Sequence, residues 1–425
     1  MNLLEKTYDI VVLGGGTAGT AAAIAAARRG SRVLLVEEGN CLGGVSTAGG
    51  VNEWYASLEG LGNIFDHVRD EVARFGAKHG RFFNGEYLKI AWQQMAQQAG
   101  VEILFHTTLE RVEADHGLVR SAGLLSCSRK ISARAGFFID ATGEGDLAAM
   151  AGAEFQKGDP EQGRTLHMTL TFLLYDTGKP VVPYLPDGLM EIRNDDELPG
   201  LNAANVTPDG RVYCNMTKVT GRDATDPFSL SAAEAEARVQ LARIVHYLQK
   251  TRFPNHMLAS SGARIGIREG RRILGDYVLR EDDVLDPAGR EFEDGITVAT
   301  CQIDFHSLTK PGHEGWRQKI VPYNIPLRSL IPTSLKNVLV AGKCISGDQV
   351  AHSSYRMTPT CCSMGQAAGT AMAMARESGH TEIRRLDPAG LRRQLAADGI
   401  ELDPQKHRAF APEAPEDGPG REARA

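Results

Sequence analysis

Gly14, Gly16 and Gly19 have the Gly-x-Gly-x-x-Gly spacing that is typical of diphosphate-binding turns. In such a turn the first glycine permits a tight bend, the second lets the backbone approach a pyrophosphate, and the third allows a helix to pack closely on a strand. Glu37 lies about 20 residues further on, where a carboxylate can accept hydrogen bonds from ribose hydroxyls and repel a 2′-phosphate. These four residues predict a dinucleotide site.

Three later segments could extend that site, and they favour FAD over NAD. The glycine-rich stretch CLGGVSTAGG at 41–50 can run beside a pyrophosphate and a flavin ring without steric bulk. IDATGEGDLA at 139–148 contains a strand that ends in Ala-Thr-Gly, as in FAD proteins. The strand NVLVAG at 337–342 precedes a helix that we expect to begin near Ser363, with its amino end toward the flavin. Only one phosphate-binding start of this kind is visible, so a second nucleotide domain for NADPH is not expected.

These residues need particular elements to position them. YDIVVL at 8–13 predicts a strand, TAAAIAAARRG a helix that stops at Gly30, and SRVLLVEE at 31–38 a second strand, so that together they form a βαβ unit. The stretch 63–100 has helical spacing, and short apolar runs between 101 and 140 predict a β-meander. The predicted fold class is α/β. We expect a Rossmann-type FAD-binding domain, in which a parallel sheet, a β-meander and helices form a ββα sandwich, with an inserted α+β substrate domain.

Changes in composition along the chain predict five segments. Residues 1–155 form the first part of the FAD-binding domain, and 156–325 form a substrate or cap domain. Residues 326–380 return to the FAD-binding domain, and 381–403 form a small terminal helix. The stretch 404–425 is rich in Pro, Glu and Arg without periodicity, so we expect a disordered tail.

The overall composition is that of a globular protein, with 42% hydrophobic and 24% charged residues. The 47 basic and 53 acidic side chains give a net charge of −6, so neither nucleic acid nor a membrane surface is an expected partner. No run approaches the roughly 20 apolar residues of a membrane helix and no signal peptide is visible, so we expect a cytoplasmic location. Seven cysteines without a C-x-x-C pair predict neither disulfides nor a metal site.

Six segments together form a more specific pattern than the glycine spacing. They are DIVVLGGGTAGTAAAIAAARRG, NCLGGVSTAGGV, FIDATGEGDLAAMAGAEF, ARIGIREGRRILGDYVLREDDV, VPYNIPLRSLIP and NVLVAGKCISGDQVAHSSYRMTPTCCSMGQAAGTAMAMA. Over these segments, and so over nearly the whole chain, the sequence resembles the FAD-dependent oxidoreductase family that is related to the fumarate reductase and succinate dehydrogenase flavoproteins.

The resemblance implies a set of positions that line FAD. They are Gly14, Gly16, Thr17, Ala18, Gly19, Glu37, Glu38, Gly43, Gly44, Ser46, Thr47, Ala141, Thr142, Gly143, Asp146, Gly342, Thr358, Pro359 and Gly365. Many flavoproteins have an acid after the glycine of the return strand, on the ribityl chain, whereas this sequence has Lys343, so that contact is left open. No histidine between 41 and 53 matches the one that some fumarate reductase relatives use for covalent attachment, so a dissociable FAD is expected.

A flavin carries out the redox step itself, so the protein has to orient the substrate, move a proton and stabilise charge. In the family's geometry His352, which we expect in a loop between the return strand and the last helix, would approach the ring as a general base, or else lie behind the site as a hydrogen-bonding residue. Tyr355 and Arg356 could position a substrate oxygen, and Arg356 could also neutralise a carboxylate or the reduced flavin. His306 and Tyr323 either close over the flavin or are structural.

Four arginines, at 264, 268, 271 and 272, recur at helical or turn spacing. They could form a cationic wall for a carboxylate or another oxyanion, and Arg268 therefore joins the catalytic candidates. The alternative is a structural cluster of ion pairs with the acidic residues between 269 and 281.

The preferred function is hydride transfer between non-covalent FAD and a small polar substrate, such as a hydroxy compound, a sugar-like alcohol or a carboxylate. A second enzyme reaction is the reduction of an activated C=C bond, as in fumarate reductase. A function of another class is that of an electron carrier or a tRNA-modifying flavoprotein, which the acidic charge balance disfavours. The expected partners are a small-molecule substrate and an electron acceptor. The identity of the acceptor, the direction of the reaction and the oligomeric state are left open.

Overall fold

The computed structural model describes residues 4–207, 209–308 and 315–410. Its α-helices are α1 (Thr17–Arg28), α2 (Asn63–Arg74), α3 (Gly85–Gln98), α4 (Asp146–Met150), α5 (Pro227–Lys250), α6 (Glu281–Val284), α7 (Gln349–Tyr355), α8 (Thr358–Glu377) and α9 (Pro388–Ala397).

The β-strands are mostly short. They are β1 (Leu4–Leu13), β2 (Val33–Val36), β3 (Lys78–His79), β4 (Phe82–Phe83), β5 (Glu102–Leu104), β6 (Thr107–Asp115), β7 (Leu118–Ser126), β8 (Arg129–Asp140), β9 (Phe155–Lys157), β10 (Phe172–Asp176), β11 (Ala204–Val206), β12 (Val212–Cys214), β13 (His256–Ser261), β14 (Arg271–Ile273), β15 (Gly295–Ala299), β16 (Ile303–His306), β17 (Gly315–Gln318), β18 (Tyr323–Pro326) and β19 (Val338–Val340).

One large sheet contains the predicted βαβ unit. Strands β5, β2, β1 and β8 are parallel neighbours, and β19 runs parallel beside the end of β8. The first half of β8 also pairs antiparallel with β7, which in turn pairs with β6. A single strand of 12 residues therefore joins a parallel sheet to a β-meander. This confirms the predicted α/β class and its Rossmann-type arrangement.

The return segment is fastened to the start of the chain by close helix packing. A Cβ atom on Gly365 would lie 2.1 Å from the carbonyl oxygen of Ala18, and one on Gly369 would lie 2.1 Å from that of Ala22. Because these glycines in α8 have no side chain, the backbones of α1 and α8 can approach directly. The contact holds the residues before α8 close to the turn before α1.

A second hydrophobic core lies outside the large sheet. Strands β11, β12, β10 and β13 form an antiparallel sheet, and the core beside it has members from α5. All its members lie within 168–267. Ile273 and Ile325 belong to the larger core instead, where β15 contacts α8. The members of this second core all lie inside the predicted substrate domain of 156–325, whose limits stay a prediction.

Three local predictions differ from the structure. The apolar run at 101–106 does not start the meander, because β5 pairs parallel with β2 after the crossover through α2 and α3. The helix expected near Ser363 begins earlier, at Thr358, with a proline in its first turn, a favoured position for proline. His352, expected in a loop, lies in α7. The stretch 63–100 is helical as predicted, apart from the hairpin of β3 and β4.

At the carboxyl end, α9 corresponds to the helix predicted in 381–403. Of the predicted disordered tail, 404–410 are described, and Phe410 forms a β-bridge with Cys301. The remainder, 411–425, lies outside the described residues. The seven cysteines all lie within the described residues and are free thiols. None of the helices described above combines the length and hydrophobicity that a membrane crossing requires.

We predict that Gly369→Ala lowers the free energy of unfolding. In an open helical position alanine would be favoured over glycine by about 1 kcal/mol. Here the added Cβ would lie 2.1 Å from the Ala22 oxygen, and overpacking costs about 1–3 kcal/mol. Thermal and denaturant unfolding measure the effect. The control is Gly136→Ala in β8, where the nearest atom to the new Cβ is 3.7 Å away and stability should change little. A gain in stability for Gly369→Ala would contradict the close packing.

Candidate active site

The turn between β1 and α1 has a closed side and an open side. Gly14 has a φ of +95°, and a Cβ on it would lie 2.3 Å from the carbonyl oxygen of Ala141. A Cβ on Gly19 would lie 1.9 Å from the oxygen of Gly14. These two glycines are therefore required for packing. Gly16 differs, because no atom lies within 4 Å of the position of its Cβ.

The open side of Gly16 meets the amino end of α1. The helix begins at Thr17 without a side-chain cap, so its first amides are available to an anion. A second glycine loop borders the same opening. The amide of Gly43 donates to the oxygen of Gly15 at 2.8 Å, and a Cβ on Gly44 would lie 2.9 Å from the Gly16 Cα. Backbone amides and residues without side chains thus line an opening that fits a diphosphate.

Other predicted FAD positions hold these two loops in shape. The hydroxyl of Thr17 donates to the carbonyl of Gly43 at 3.2 Å, and the hydroxyl of Thr47 donates to that of Leu42 at 2.7 Å. The hydroxyl oxygen of Ser46 is buried and has no hydrogen-bond partner among the residues described. An orphaned buried oxygen of this kind suits a contact with a bound group.

The carboxylate of Glu37 is anchored at the end of β2. Its oxygens accept hydrogen bonds from the amides of Gly15 at 2.7 Å and Gly39 at 2.6 Å. Burial raises the pKa of Glu37, and these two amides oppose that rise. Each carboxylate oxygen has a further lone pair, so Glu37 can still accept hydrogen bonds from a ribose. Glu38, also predicted to line FAD, forms an exposed ion pair with Arg264 at 2.5 Å.

The Ala-Thr-Gly turn after β8 is organised by a buried carboxylate that was not predicted. Asp140 accepts hydrogen bonds from the amide and hydroxyl of Thr142 and from the amide of Ala148. Burial raises the pKa of Asp140 to about 6. The hydroxyl of Thr142 also accepts from the amide of Asp146, whose carboxylate pairs with Arg271 at 2.8 Å. Thr142 and Asp146, both predicted to line FAD, therefore have partners that shape this turn.

Lys343 also contacts this turn. Its ammonium group donates to the carbonyl of Gly143 at 2.6 Å and to the carboxylate of Glu144 at 2.5 Å, so it joins the end of β19 to the turn. Gly342, with a φ of +102°, lets the chain bend there.

Helix α8 follows α7 and begins at Thr358 without a side-chain cap. Its first amides, like those of α1, are available to an electron-rich ligand atom.

A cluster of buried and partly buried polar and charged side chains, which we call the Asp304 cluster, consists of His167, Arg268, Asp304, His306 and Arg356. The Oδ2 atom of Asp304 accepts hydrogen bonds from His306 Nε2 at 3.0 Å and from Arg356 Nη2 at 3.1 Å. The rings of His167 and His306 are edge-to-face, with centroids 4.7 Å apart. Arg268 Nη1 donates to the carbonyl of His167 at 3.3 Å.

Two sets of contacts place this cluster beside the predicted flavin position. Arg268 also donates to the hydroxyl of Thr169. Thr171, two residues further along, donates to the carbonyl of Gly49 in the second glycine loop at 2.9 Å. On the other side, Arg356 directly precedes the N-cap residue of α8. The Asp304 cluster therefore lies between the second glycine loop and the amino end of α8.

Positive charge exceeds negative charge in this cluster. The second oxygen of Asp304 accepts a hydrogen bond from Arg317 at 3.2 Å. Burial opposes ionisation of Asp304, but His306, Arg356 and Arg317 together hold its pKa well below the usual range. Burial and the nearby Arg356 lower the pKa of Arg268 to about 10. Within the described part of the chain, Arg268 donates to neutral oxygens and forms no ion pair with a carboxylate.

The structure brings together only two of the four catalytic candidates, Arg268 and Arg356. Tyr355 is buried, and its hydroxyl donates to the carbonyl of Ile345 at 3.1 Å. This hydroxyl therefore has a hydrogen-bond partner within the protein and does not need a substrate to supply one. His352 packs edge-to-face against Tyr355, with centroids 5.6 Å apart. Burial and Arg272 lower the pKa of His352 well below its usual value. Its catalytic role stays a prediction.

His167 and Asp304 were not predicted as site residues, and His306 was considered without a hydrogen-bond partner. Asp304 and His306 are two residues apart in β16, which places both side chains on one face of the strand. This two-residue spacing within a strand was the signal in the sequence that could have identified the pair. The position of His167 depends on the packing of the second core, which no local pattern reveals.

Residues 9–395 match the sequence profile of the family described as FAD dependent oxidoreductase. The chain belongs to this FAD dependent oxidoreductase family. FAD is therefore the cofactor of this flavoenzyme, and the glycine turns and uncapped helix ends described above fit its diphosphate and its electron-rich ring.

Two curated relatives match parts of the flavoenzyme. It is 32% identical to thiamine thiazole synthase of Aeropyrum pernix over 148 residues, which cover 32% of this chain and 54% of that protein. It is 60% identical to vinyl phenol reductase of Lactiplantibacillus plantarum over 42 residues, 10% of this chain and 8% of that protein. The match thus spans about half the length of the first relative and a small part of the second.

Solved structures that match this chain do so at low sequence identity and with TM-scores below 0.5. A geranylgeranyl bacteriochlorophyll reductase-like protein of Thermoplasma acidophilum has a TM-score of 0.48 at 13% identity, covering 94% of this chain and 93% of that chain. An anhydrotetracycline hydroxylase of Streptomyces rimosus has a TM-score of 0.48 at 14% identity, covering 94% and 70%.

We predict that Gly16→Ala weakens FAD binding without destabilising the protein itself. The new Cβ meets no protein atom within 4 Å, but it enters the space where the diphosphate would approach the backbone. We expect the FAD dissociation constant to rise at least about tenfold, which corresponds to about 1.4 kcal/mol. Fluorescence titration of the apoprotein measures binding, and thermal unfolding of the apoprotein should be unchanged. Gly136→Ala is the control for both measurements. Wild-type affinity in Gly16→Ala would contradict this position for the diphosphate.

Proposed function

We propose that this flavoenzyme transfers a hydride between non-covalently bound FAD and a small polar substrate that carries a carboxylate or a similar oxyanion. The observation that supports this is that Asp304 compensates the charge of Arg268 only in part, and that Arg268 forms no ion pair with a carboxylate among the described residues. A partly buried cation without a paired counter-ion is unfavourable. A substrate anion beside Arg268 and Arg356 would supply the missing negative charge and accept charge-assisted hydrogen bonds.

The residues of the cluster would bind the substrate and orient it, each in a different way. Bound FAD supplies the two-electron chemistry. Arg268 would hold the anionic group, with its own position fixed by His167 and Thr169. Arg356, held by Asp304, would bind a second oxygen and orient the reacting carbon. The uncapped amino end of α8 at Thr358 would stabilise negative charge that develops on the reduced ring.

Reduction of an activated C=C bond is the second candidate, in line with the resemblance to fumarate reductase flavoproteins in the sequence motifs. The same two arginines support it, since an unsaturated acid presents the same carboxylate. A vinyl phenol reductase is also among the matched relatives. The two candidates differ in the direction of hydride transfer, so they are distinguished by which redox state of the flavoenzyme reacts.

The first experiment adds 2-hydroxy acids to the oxidised flavoenzyme under anaerobic conditions and follows the loss of flavin absorbance. Each acid is paired with the diol in which the carboxylate is replaced by a CH₂OH group. We expect bleaching by at least one acid and much slower bleaching by its diol, because the diol carries no anion. Equal rates for acids and diols would contradict the proposed substrate class.

With the reactive acid in hand, Arg268→Gln should raise the KM by about 30- to 100-fold. A hydrogen bond between two charged groups contributes about 2–3 kcal/mol in such sites. Arg238→Gln in α5, where an exposed arginine pairs with Glu234, is the matched control.

A parallel sample of the flavoenzyme is reduced chemically and mixed with unsaturated acids. Reoxidation of the flavin in the absence of oxygen would support the second candidate. Release of the yellow colour on acid precipitation tests non-covalent binding.

A further inference from the structure

His306 is held in a defined orientation by a carboxylate that is itself fixed. Asp304 accepts hydrogen bonds on one oxygen from His306 and Arg356 and on the other from Arg317. An ionised carboxylate only accepts hydrogen bonds, so the Nε2 atom of His306 must carry the hydrogen in this contact. In a neutral imidazole the Nδ1 atom then carries the lone pair that can accept a proton.

The surroundings keep the His306 ring neutral near pH 7. Burial lowers the pKa of His306 to about 4; Asp304 opposes this change, and Arg268 and Arg356 add to it. His167 faces the ring edge-on, and its own pKa is lowered well below the usual value by burial and Arg268. Among the described residues, the charged groups that act on His306 are thus the carboxylate of Asp304 and the guanidinium groups of Arg268 and Arg356.

We propose that Asp304 and His306 are the proton-accepting pair of this site, in which His306 Nδ1 receives the hydroxyl proton of a substrate and Asp304 is the positioning residue that fixes the Nε2–H tautomer. The inference rests on the proposed oxidation of a hydroxy acid. The hydrogen and the two electrons of the C–H bond leave as hydride, for which bound FAD is the acceptor. The O–H bond breaks, its proton passes to His306, and its electron pair forms the C=O bond of the product.

Substrate binding would also activate this base. Arg268 and Arg356 disfavour the protonated ring because their charge is only partly compensated. A substrate carboxylate beside them adds the missing negative charge, so that His306 binds a proton more readily once the substrate is present.

His352 is the base that was predicted from the sequence. Its Nδ1 atom is buried and has no partner among the described residues, and burial and Arg272 lower its pKa.

The test is nitrogen NMR of the FAD-loaded flavoenzyme with ¹⁵N-labelled histidine side chains, from about pH 4 to about pH 8. His306→Gln assigns the resonances by their loss. The probe is oxalate, a dicarboxylate without a C–H bond, so that no turnover occurs. We expect His306 to be neutral near pH 7 in the Nε2–H tautomer, and oxalate to raise its pKa by about one unit or more.

Two variants separate positioning from general structural effects. In Asp304→Ala the preference for the Nε2–H tautomer should disappear, while FAD content and far-UV circular dichroism report on folding. Arg317→Gln is the matched control, because it removes a partner from the other oxygen of the same carboxylate and leaves the contact with His306. If Asp304→Ala fails to fold, the tautomer in the wild-type protein and in Arg317→Gln still decides the proposal.

An Nδ1–H tautomer in the wild-type protein would overturn the proposal, and so would an unchanged His306 pKa when oxalate is bound. Binding of oxalate is followed separately by the flavin absorbance, with Arg268→Gln as the variant that should weaken it. If oxalate does not bind at all, the proposed anionic substrate is contradicted. The observed tautomer would still show whether Asp304 positions His306.

Discussion

The surplus of positive charge in the Asp304 cluster is the constraint that links the parts of this flavoenzyme. Guanidinium groups in a buried site repel one another, and Asp304 compensates only part of their charge. Asp304 therefore has two effects: it keeps Arg356 in place, and it sets the hydrogen-bonding state of His306. The remaining positive charge is available to a ligand. The proposed preference for an anionic substrate follows from this balance.

The cluster exists only because separate parts of the chain fold together. Asp304 and His306 come from β16, whereas His167 and Arg268 come from the segments that enter and leave the second core. Arg356 is placed by the start of α8. That helix is held on α1 by the close approach at Gly369. The helix packing beside the glycine turn thus also fixes Arg356, one of the two arginines that are proposed to bind the substrate.

The sequence was most informative where the structure is local. The βαβ unit and the glycine turn depend on neighbouring residues, and the open side of Gly16 agrees with its predicted approach to a diphosphate. Family motifs also identified Arg268 and Arg356. Partners that come from distant segments were not predictable. Thr142 was assigned to FAD, for example, but its hydroxyl is hydrogen-bonded within the turn organised by Asp140.

The most direct measurement of the central claim is a crystal structure of the FAD-loaded flavoenzyme grown with oxalate. We expect the anion beside the guanidinium groups of Arg268 and Arg356, within hydrogen-bond distance of both and next to the flavin ring. The account would be contradicted if FAD were bound and this space held no oxalate. It would equally be contradicted if Arg268 were paired with a carboxylate of the protein itself.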